Sequence, residues 1–234
     1  MSKILTMLVA ILLIAGGAWW YFNGKPGGFA TPAVAQTSTA ATSSPATSSP
    51  APAGASAKTT ASGEDRVLGN PDAGITIIEF ASLTCPHCAE FDRETLPKIR
   101  ADWIDTGKAK LIFRDFPLDG AALKASVLAR CAPVERFYGF VDTLFASQAS
   151  WARSADPTPA LGRIAKLGGM SDEQFQSCMK NDTLQNQVLA MRLAGEKEFA
   201  VDSTPTFFIN GKKLVGARPY EDFEKMLKEA APKS

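Results

Sequence analysis

Apolar and polar positions split this chain of 234 residues into three stretches of different character. Ile4 to Phe22 carries no charge over 19 residues and follows Lys3. As a helix it would span ~28 Å, about the thickness of a bilayer's hydrocarbon core. Trp19, Trp20 and Tyr21 gather at its far end, where aromatic rings favour a membrane interface. From Thr37 to Gly63 the chain is almost wholly Ala, Thr, Ser, Pro and Gly, with Lys58 its single charge, too poor in large apolar side chains to offset chain entropy. The pattern predicts an apolar N-terminal element at residues 1–23, a disordered tether at 24–64 reaching ~35 Å on average, and a folded domain at 65–231.

Within that domain the periodicity switches between 2 and 3.6. Ile75 to Phe80 and Lys110 to Phe116 are apolar runs of strand length, joined by a helical segment from Cys85 to about Thr106. A crossover of that length favours a parallel pair, and Pro97 is expected to kink or interrupt the helix. Residues 119–199 read as helix, with loops at Pro157 to Pro159 and Gly168-Gly169; Ser171-Asp172-Glu173-Gln174 has the form of a capping box. Thr206 to Ile209, Asn210-Gly211 and Lys212 to Val215 read as a hairpin with a two-residue turn, followed by a helix from Glu221 to Ala231. The order is βαβ, a helical insert at about 119–199, then ββα: an α/β arrangement.

Composition narrows the function classes. Lys and Arg number 25 against 24 Asp and Glu, so there is no basic footprint for nucleic acid. Four cysteines downstream of an export-like segment fit an oxidising compartment. An uncleaved membrane anchor is expected at residues 4–22, because the apolar run is longer than a signal core. Ala33-Val34-Ala35 has the small-x-small form that precedes cleavage, but it lies well beyond the end of that run. A cleaved signal peptide is the alternative, and either one exports the domain.

The chemistry is concentrated in Cys85-Pro86-His87-Cys88, at the start of the helix that follows the first strand. Two cysteines so spaced can close a disulfide over a helix's first turn. The first then sits where unpaired backbone N–H groups and the helix dipole favour a thiolate. His87, the one histidine of the chain, is placed to add a donor and a positive charge. The competing use of such a pair is half of a zinc site. Structural zinc takes four ligands, usually as two close pairs, whereas Cys131 and Cys178 stand far apart; redox chemistry is favoured, with no metal or cofactor.

Alternation along Ile75, Ile77 and Glu79 places the acid on one face with two isoleucines, where desolvation would raise its pKa; an outward-facing strand residue is the alternative. Leu123, Val127 and Cys131 recur at four-residue spacing, and Phe175, Cys178 and Met179 share a face, so both sulfurs should lie on packed helix surfaces. Two buried thiols and a structural disulfide both satisfy that placement, and an oxidising compartment favours the disulfide.

Leu68-Gly69-Asn70-Pro71, the strand Ile75 to Phe80, the Cys85 to Cys88 motif and the distant Ser203-Thr204-Pro205-Thr206-Phe207-Phe208-Ile209-Asn210-Gly211 together resemble the DsbA family of bacterial thiol-disulfide oxidoreductases, over about residues 66 to 231. The resemblance implies a thioredoxin fold with an inserted helical domain. Under it, Cys85 is the exposed sulfur that exchanges with substrate, Cys88 is the resolving thiol, and Pro86-His87 is the dipeptide of the disulfide-donating members. Glu79 matches a buried acid thought to relay the proton of the buried thiol, and Thr204-Pro205 matches a cis-proline loop that pairs with substrate. A second disulfide, Cys131 to Cys178, is similar to that of some alphaproteobacterial members.

The expected function is an exported, monomeric oxidoreductase that donates disulfides to reduced, folding polypeptides. It would work in the periplasm, tethered to the inner membrane through residues 4–22 and reoxidised by a membrane partner of DsbB type. A reductase or isomerase on the same fold, or a tethered chaperone or binding module, are the alternatives.

Overall fold

A computed structural model describes residues 65–232; the apolar element 4–22, the tether and Ala33-Val34-Ala35 lie outside the described residues. Among the described residues, no helix is long and apolar enough to cross a membrane. The strands are β1 Arg66–Gly69, β2 Ile75–Ala81, β3 Ala109–Asp115, β4 Thr206–Ile209 and β5 Lys212–Val215. They form one sheet in the order β1-β3-β2-β4-β5, with β2 and β3 parallel and the other pairs antiparallel. The helices are α1 Pro86–Glu90, α2 Leu96–Ile99, α3 Gly120–Cys131, α4 Phe137–Ala146, α5 Thr158–Leu167, α6 Asp172–Met179, α7 Asp182–Glu198 and α8 Tyr220–Ala230.

Period-2 alternation decides what each sheet face buries. Ile75 and Ile77 of β2, Leu111 of β3, and Phe207 and Ile209 of β4 pack with Phe91, Leu96, Ile99 and Trp103 of the crossover and with Phe223 and Leu227 of α8. Ile78 and Phe80 point the other way, onto Ile112, Phe116 and Val201. Gly195 lets α7 approach that second face closely, since a Cβ there would lie 2.9 Å from the Phe80 ring. The helical insert has its own core of Leu128, Phe137, Leu144, Phe145, Trp151 and Leu161, and Cys85 and Cys88 are buried in this cluster.

The crossover stays helical past Pro97. Wide π turns at Phe91–Thr95 and Arg100–Ile104 flank α2, so the predicted interruption takes the form of a changed helix register. Proline has no N–H to donate, and a wider turn carries the chain around its ring. Ser171 and Gln174 form the reciprocal capping box at the start of α6. Asn210 and Gly211 both have positive φ, 43° and 85°, as a two-residue hairpin turn of type I′ requires.

β1 is not predicted by the hydrophobic pattern. It is four residues long and none of them is fully buried, so it exists because the outer edge of β3 offers ladder partners. Tyr138 of α4 reinforces that edge: its hydroxyl lies 2.7 Å from the Arg66 carbonyl and 3.0 Å from that of Leu111, and it accepts from the Phe113 N–H at 3.2 Å. Tyr138→Phe leaves these part-buried groups short of a partner. It is expected to lower stability by about 1–3 kcal/mol, seen as a lower denaturant midpoint at unchanged slope.

Candidate active site

The site begins with the end of β2. The chain leaves the strand at Ala81, turns through residues 82–84 and enters α1 at Pro86, which takes an early helical position where a missing N–H costs nothing. Cys85 is the N-cap in extended conformation (φ −76°, ψ 121°), without a side-chain capping bond. Its N–H donates to the Ser82 carbonyl at 3.0 Å, and its carbonyl accepts from the Ala89 N–H at 3.2 Å. Both Cys85 and Cys88 are free thiols; Cys88 is 0% exposed and Cys85 6%, so Cys85 alone offers sulfur to the outside.

Their environments drive the two thiols apart. A hydrogen bond from the Cys88 thiol is the main reason that the Cys85 pKa is held down to about 5. The Thr204 hydroxyl and the backbone N–H groups of Cys88 and His87 add to it, against the opposing effect of burial. Cys88 moves the opposite way, pushed up by burial first, then by the bond it gives to Cys85 and by the charges of Cys85 and Glu79. The Thr204 hydroxyl oxygen is buried and has no hydrogen-bond partner at ordinary distance among the described residues. In the thiol form Cys85 donates to the Thr204 carbonyl at 3.3 Å, across the cis Thr204-Pro205 bond.

His87 stands differently from the expectation. Its side chain is 70% exposed, and Nδ1 lies 3.2 Å from Oε2 of Glu90, one turn along the helix. A helix N-terminus points backbone N–H groups at the preceding sulfur while directing side chains outward. His87 therefore acts on the thiolate through its N–H, and its ring faces solvent.

Glu79 is 3% exposed, on the same face as Ile75 and Ile77, and pairs in register with Phe113 on one side and Phe207 on the other. Burial raises its pKa well above the ordinary carboxylate value, followed by the nearby charges of Asp92 and Cys85. Asp92, on the crossover, is pushed up to about 7 by burial and by Asp142, with Arg100 and Arg93 opposing. Nothing in the local pattern marks Asp92: it is one acid among several in a polar helical stretch, and only the packing of the crossover on α4 desolvates it.

Cys131 and Cys178 are joined in a disulfide with Cα atoms 6.1 Å apart, tying the end of α3 to the end of α6. It belongs to a cluster with Val127, Val188 and Met191, separate from the one that holds the dithiol. Among the described residues, no three His, Cys, Asp or Glu side chains stand close enough to hold a metal ion.

A thioredoxin family model matches residues 61–229. A Rickettsia bellii protein that carries the name protein-disulfide oxidoreductase is 34% identical over 148 residues, 63% of this chain and 57% of that protein. Disulfide bond formation protein D of Bacillus subtilis is 28% identical over 171 residues, 70% of this chain and 75% of that protein. The crystal structure of Wolbachia pipientis alpha-DsbA1 shares the fold with a TM-score of 0.66 at 33% identity, over 71% of this chain and 90% of that one. The chain spans a little over half the length of the first curated rickettsial relatives it matches. A family match across nearly all of the described residues, and a shared fold at one-third identity, lead to one conclusion: the chain belongs to the DsbA family of thioredoxin-fold thiol-disulfide oxidoreductases.

Proposed function

We propose that this protein is an exported thiol-disulfide oxidase that donates the Cys85–Cys88 disulfide to folding polypeptides. The observation that carries the reading is the opposed ionisation of the two thiols, Cys85 held at about 5 and Cys88 pushed up. At pH 7 the reduced protein carries a stabilised thiolate, and the disulfide form has nothing equivalent. Against an ordinary thiol pKa of ~8.5, this lowered value favours the reduced form at pH 7. Whatever stabilises the reduced form shifts the couple toward a more oxidising disulfide.

The exchange balances as follows. A substrate thiolate attacks Cys85 Sγ, the Cys85–Cys88 bond breaks, and Cys88 leaves as a thiolate. A second substrate thiolate then attacks the substrate sulfur of the mixed disulfide, and Cys85 leaves as its own stabilised thiolate. Two electrons pass from substrate to dithiol. Cys88, whose pKa is raised, takes up a proton as it leaves, and Glu79 is the buried acid that supplies it. Pro86 starts the helix, His87 contributes its backbone N–H, and the backbone of Thr204 beside Pro205 receives an extended substrate segment next to Cys85.

Substrates in this scheme are reduced exported polypeptides, and a membrane oxidant of DsbB type restores the disulfide. Residues 4–22 hold the protein at the periplasmic face of the inner membrane. The name of the Bacillus subtilis relative, disulfide bond formation protein D, agrees with the direction of transfer.

Equilibration with glutathione, together with catalysed refolding of a reduced substrate and reduction of insulin, tests the direction. Rapid refolding is expected, with a potential well above the roughly −270 mV of thioredoxin-type reductants; a potential near that value with efficient insulin reduction overturns the proposal. The pH dependence carries a sign. With a pKa of about 5 in the fold, reduced protein gains full extra stability over oxidised protein only above the unfolded thiol value of ~8.5, and has lost it once pH falls through about 5. Melting curves of both redox forms across that window should converge at its acid end.

A further inference from the structure

The turn that presents Cys85 is held from outside its own segment. Gln148, in the short 3₁₀ turn Gln148–Ser150 that follows α4, donates from Nε2 to the Leu83 carbonyl at 2.8 Å and to the Cys85 carbonyl at 3.0 Å. The two acceptors flank Thr84, and only an NH₂ group can serve both, which fixes the orientation of the amide. Gln148 is itself held firmly. Its carbonyl accepts from the N–H groups of Trp151 and Ala152 at 3.2 and 2.9 Å, and the fully buried Trp151 bonds through its indole N–H to the Leu144 carbonyl at 3.0 Å. Asp119 grips the same turn from the other end of the insert: one carboxylate oxygen caps α3 at the Ala122 N–H, 2.7 Å away, and the other accepts from the Thr84 hydroxyl at 2.8 Å.

The Cys85 carbonyl is an informative point of attachment. Its plane defines ψ of Cys85, and so the angle between the Cys85 sulfur and the N–H groups at the start of α1. Pro86 has no N–H, and Cys85 makes no side-chain cap, so this peptide plane has few restraints of its own. The Ala89 N–H holds one lone pair of the carbonyl and Gln148 the other.

We propose that Gln148 is a positioning residue that governs the reactivity of Cys85 from the helical insert, by fixing the carbonyls on either side of Thr84. The proposal rests on the reading of Cys85 as the exchanging sulfur. Gln148 is uncharged, so replacing it with another uncharged side chain leaves the charged and titratable groups around Cys85 in place. These are Cys88 on α1, Glu79 on β2, Asp119 behind Thr84, and the His87 ring turned toward Glu90. A changed Cys85 titration in such a variant therefore reports orientation.

Gln148→Met keeps the length of the side chain and removes both donors; Gln148→Glu keeps the shape and offers one hydrogen at most, when protonated. In the full chain, thiolate absorbance against pH should show the Cys85 pKa raised by about one unit in Gln148→Met, with the glutathione equilibrium displaced about tenfold toward the enzyme disulfide. At neutral pH Gln148→Glu should do at least as much. A purely structural residue would lower the melting temperature of both redox forms and leave the titration and the equilibrium unmoved, and that result overturns the proposal. Should neither variant fold, the wild-type protein decides: the Gln148 side-chain amide resonance should shift with the midpoint of Cys85, and an amide that ignores that titration also overturns it. A wild-type Cys85 that titrates as an ordinary thiol would instead remove the proposed function itself.

Discussion

Cys85→Ser should abolish disulfide donation, and Cys88→Ser, once its Cys85 has been converted to a mixed disulfide by oxidised glutathione, should exchange glutathione for substrate and accumulate covalent complexes with substrates that offer a single accessible thiol. Both outcomes follow from the unequal thiols. With its pKa at about 5, Cys85 is almost wholly thiolate at pH 7, against a few per cent for an ordinary cysteine, while Cys88 is fully buried and pushed up. Alkylation at neutral pH should therefore label Cys85 and spare Cys88. Because the Cys88 thiol is the leading stabiliser of the Cys85 thiolate, Cys88→Ala should raise the Cys85 pKa, whereas Cys88→Ser, which keeps a hydroxyl donor, should raise it less. Once Cys88 is gone, no enzyme thiol can resolve a mixed disulfide at Cys85, so a substrate without a second reachable thiol stays bound, and that complex is the species in which to look for pairing between substrate backbone and Thr204. Glu79→Gln should slow the step in which Cys88 gains or loses its proton, on the order of tenfold or more, with the pH profile of that step altered. Two thiols of equal reactivity near pH 8.5, the value of a free thiol, would be incompatible with the site described (about 8.5 unperturbed).

The second large effect is on stability. The Cys131–Cys178 bond closes a loop across a separation of 47 residues, and the chain-entropy relation assigns a loop of that size about 4 kcal/mol as an upper figure. Replacing both by alanine avoids placing a hydroxyl at Cys178, which is 4% exposed. The double variant is expected to lose about 2–4 kcal/mol, roughly 10 °C in melting temperature for a domain of this size. Donation through Cys85 should persist, because the cluster around this disulfide, Val127, Val188 and Met191, is not the one that surrounds the dithiol. Thiol counting on protein purified without reductant checks the premise: two free thiols at these positions, or cycling of this pair together with Cys85, would defeat a structural role.

The elements that could be read from sequence are those whose cause lies within a few residues. Ile75 to Phe80 is a strand because its apolar side chains serve both faces of a sheet, Asn210-Gly211 turns because both residues tolerate positive φ, and Ser171 with Gln174 caps α6 across three positions. The Cys85 to Cys88 spacing, too, is enough to set two sulfurs on a helix's first turn. β1 escapes such reading because four half-buried or exposed residues carry no periodic signal and acquire their structure from the free edge of β3.

By itself the sequence determined that a dithiol stands at a strand-to-helix junction in an α/β domain, since period, turn and cap are local properties of the chain. Which groups from outside the Cys85 to Cys88 motif reach the sulfur and its carbonyl was decided by tertiary structure. The Thr204 carbonyl reaches Cys85 across 119 positions and the Gln148 amide across 63, while His87, which lies between the two thiols in sequence, turns its ring away toward Glu90. A thiolate is stabilised by whichever donors packing brings within a few ångströms, and closeness in space at that scale is a property of the folded core, which local patterning does not record.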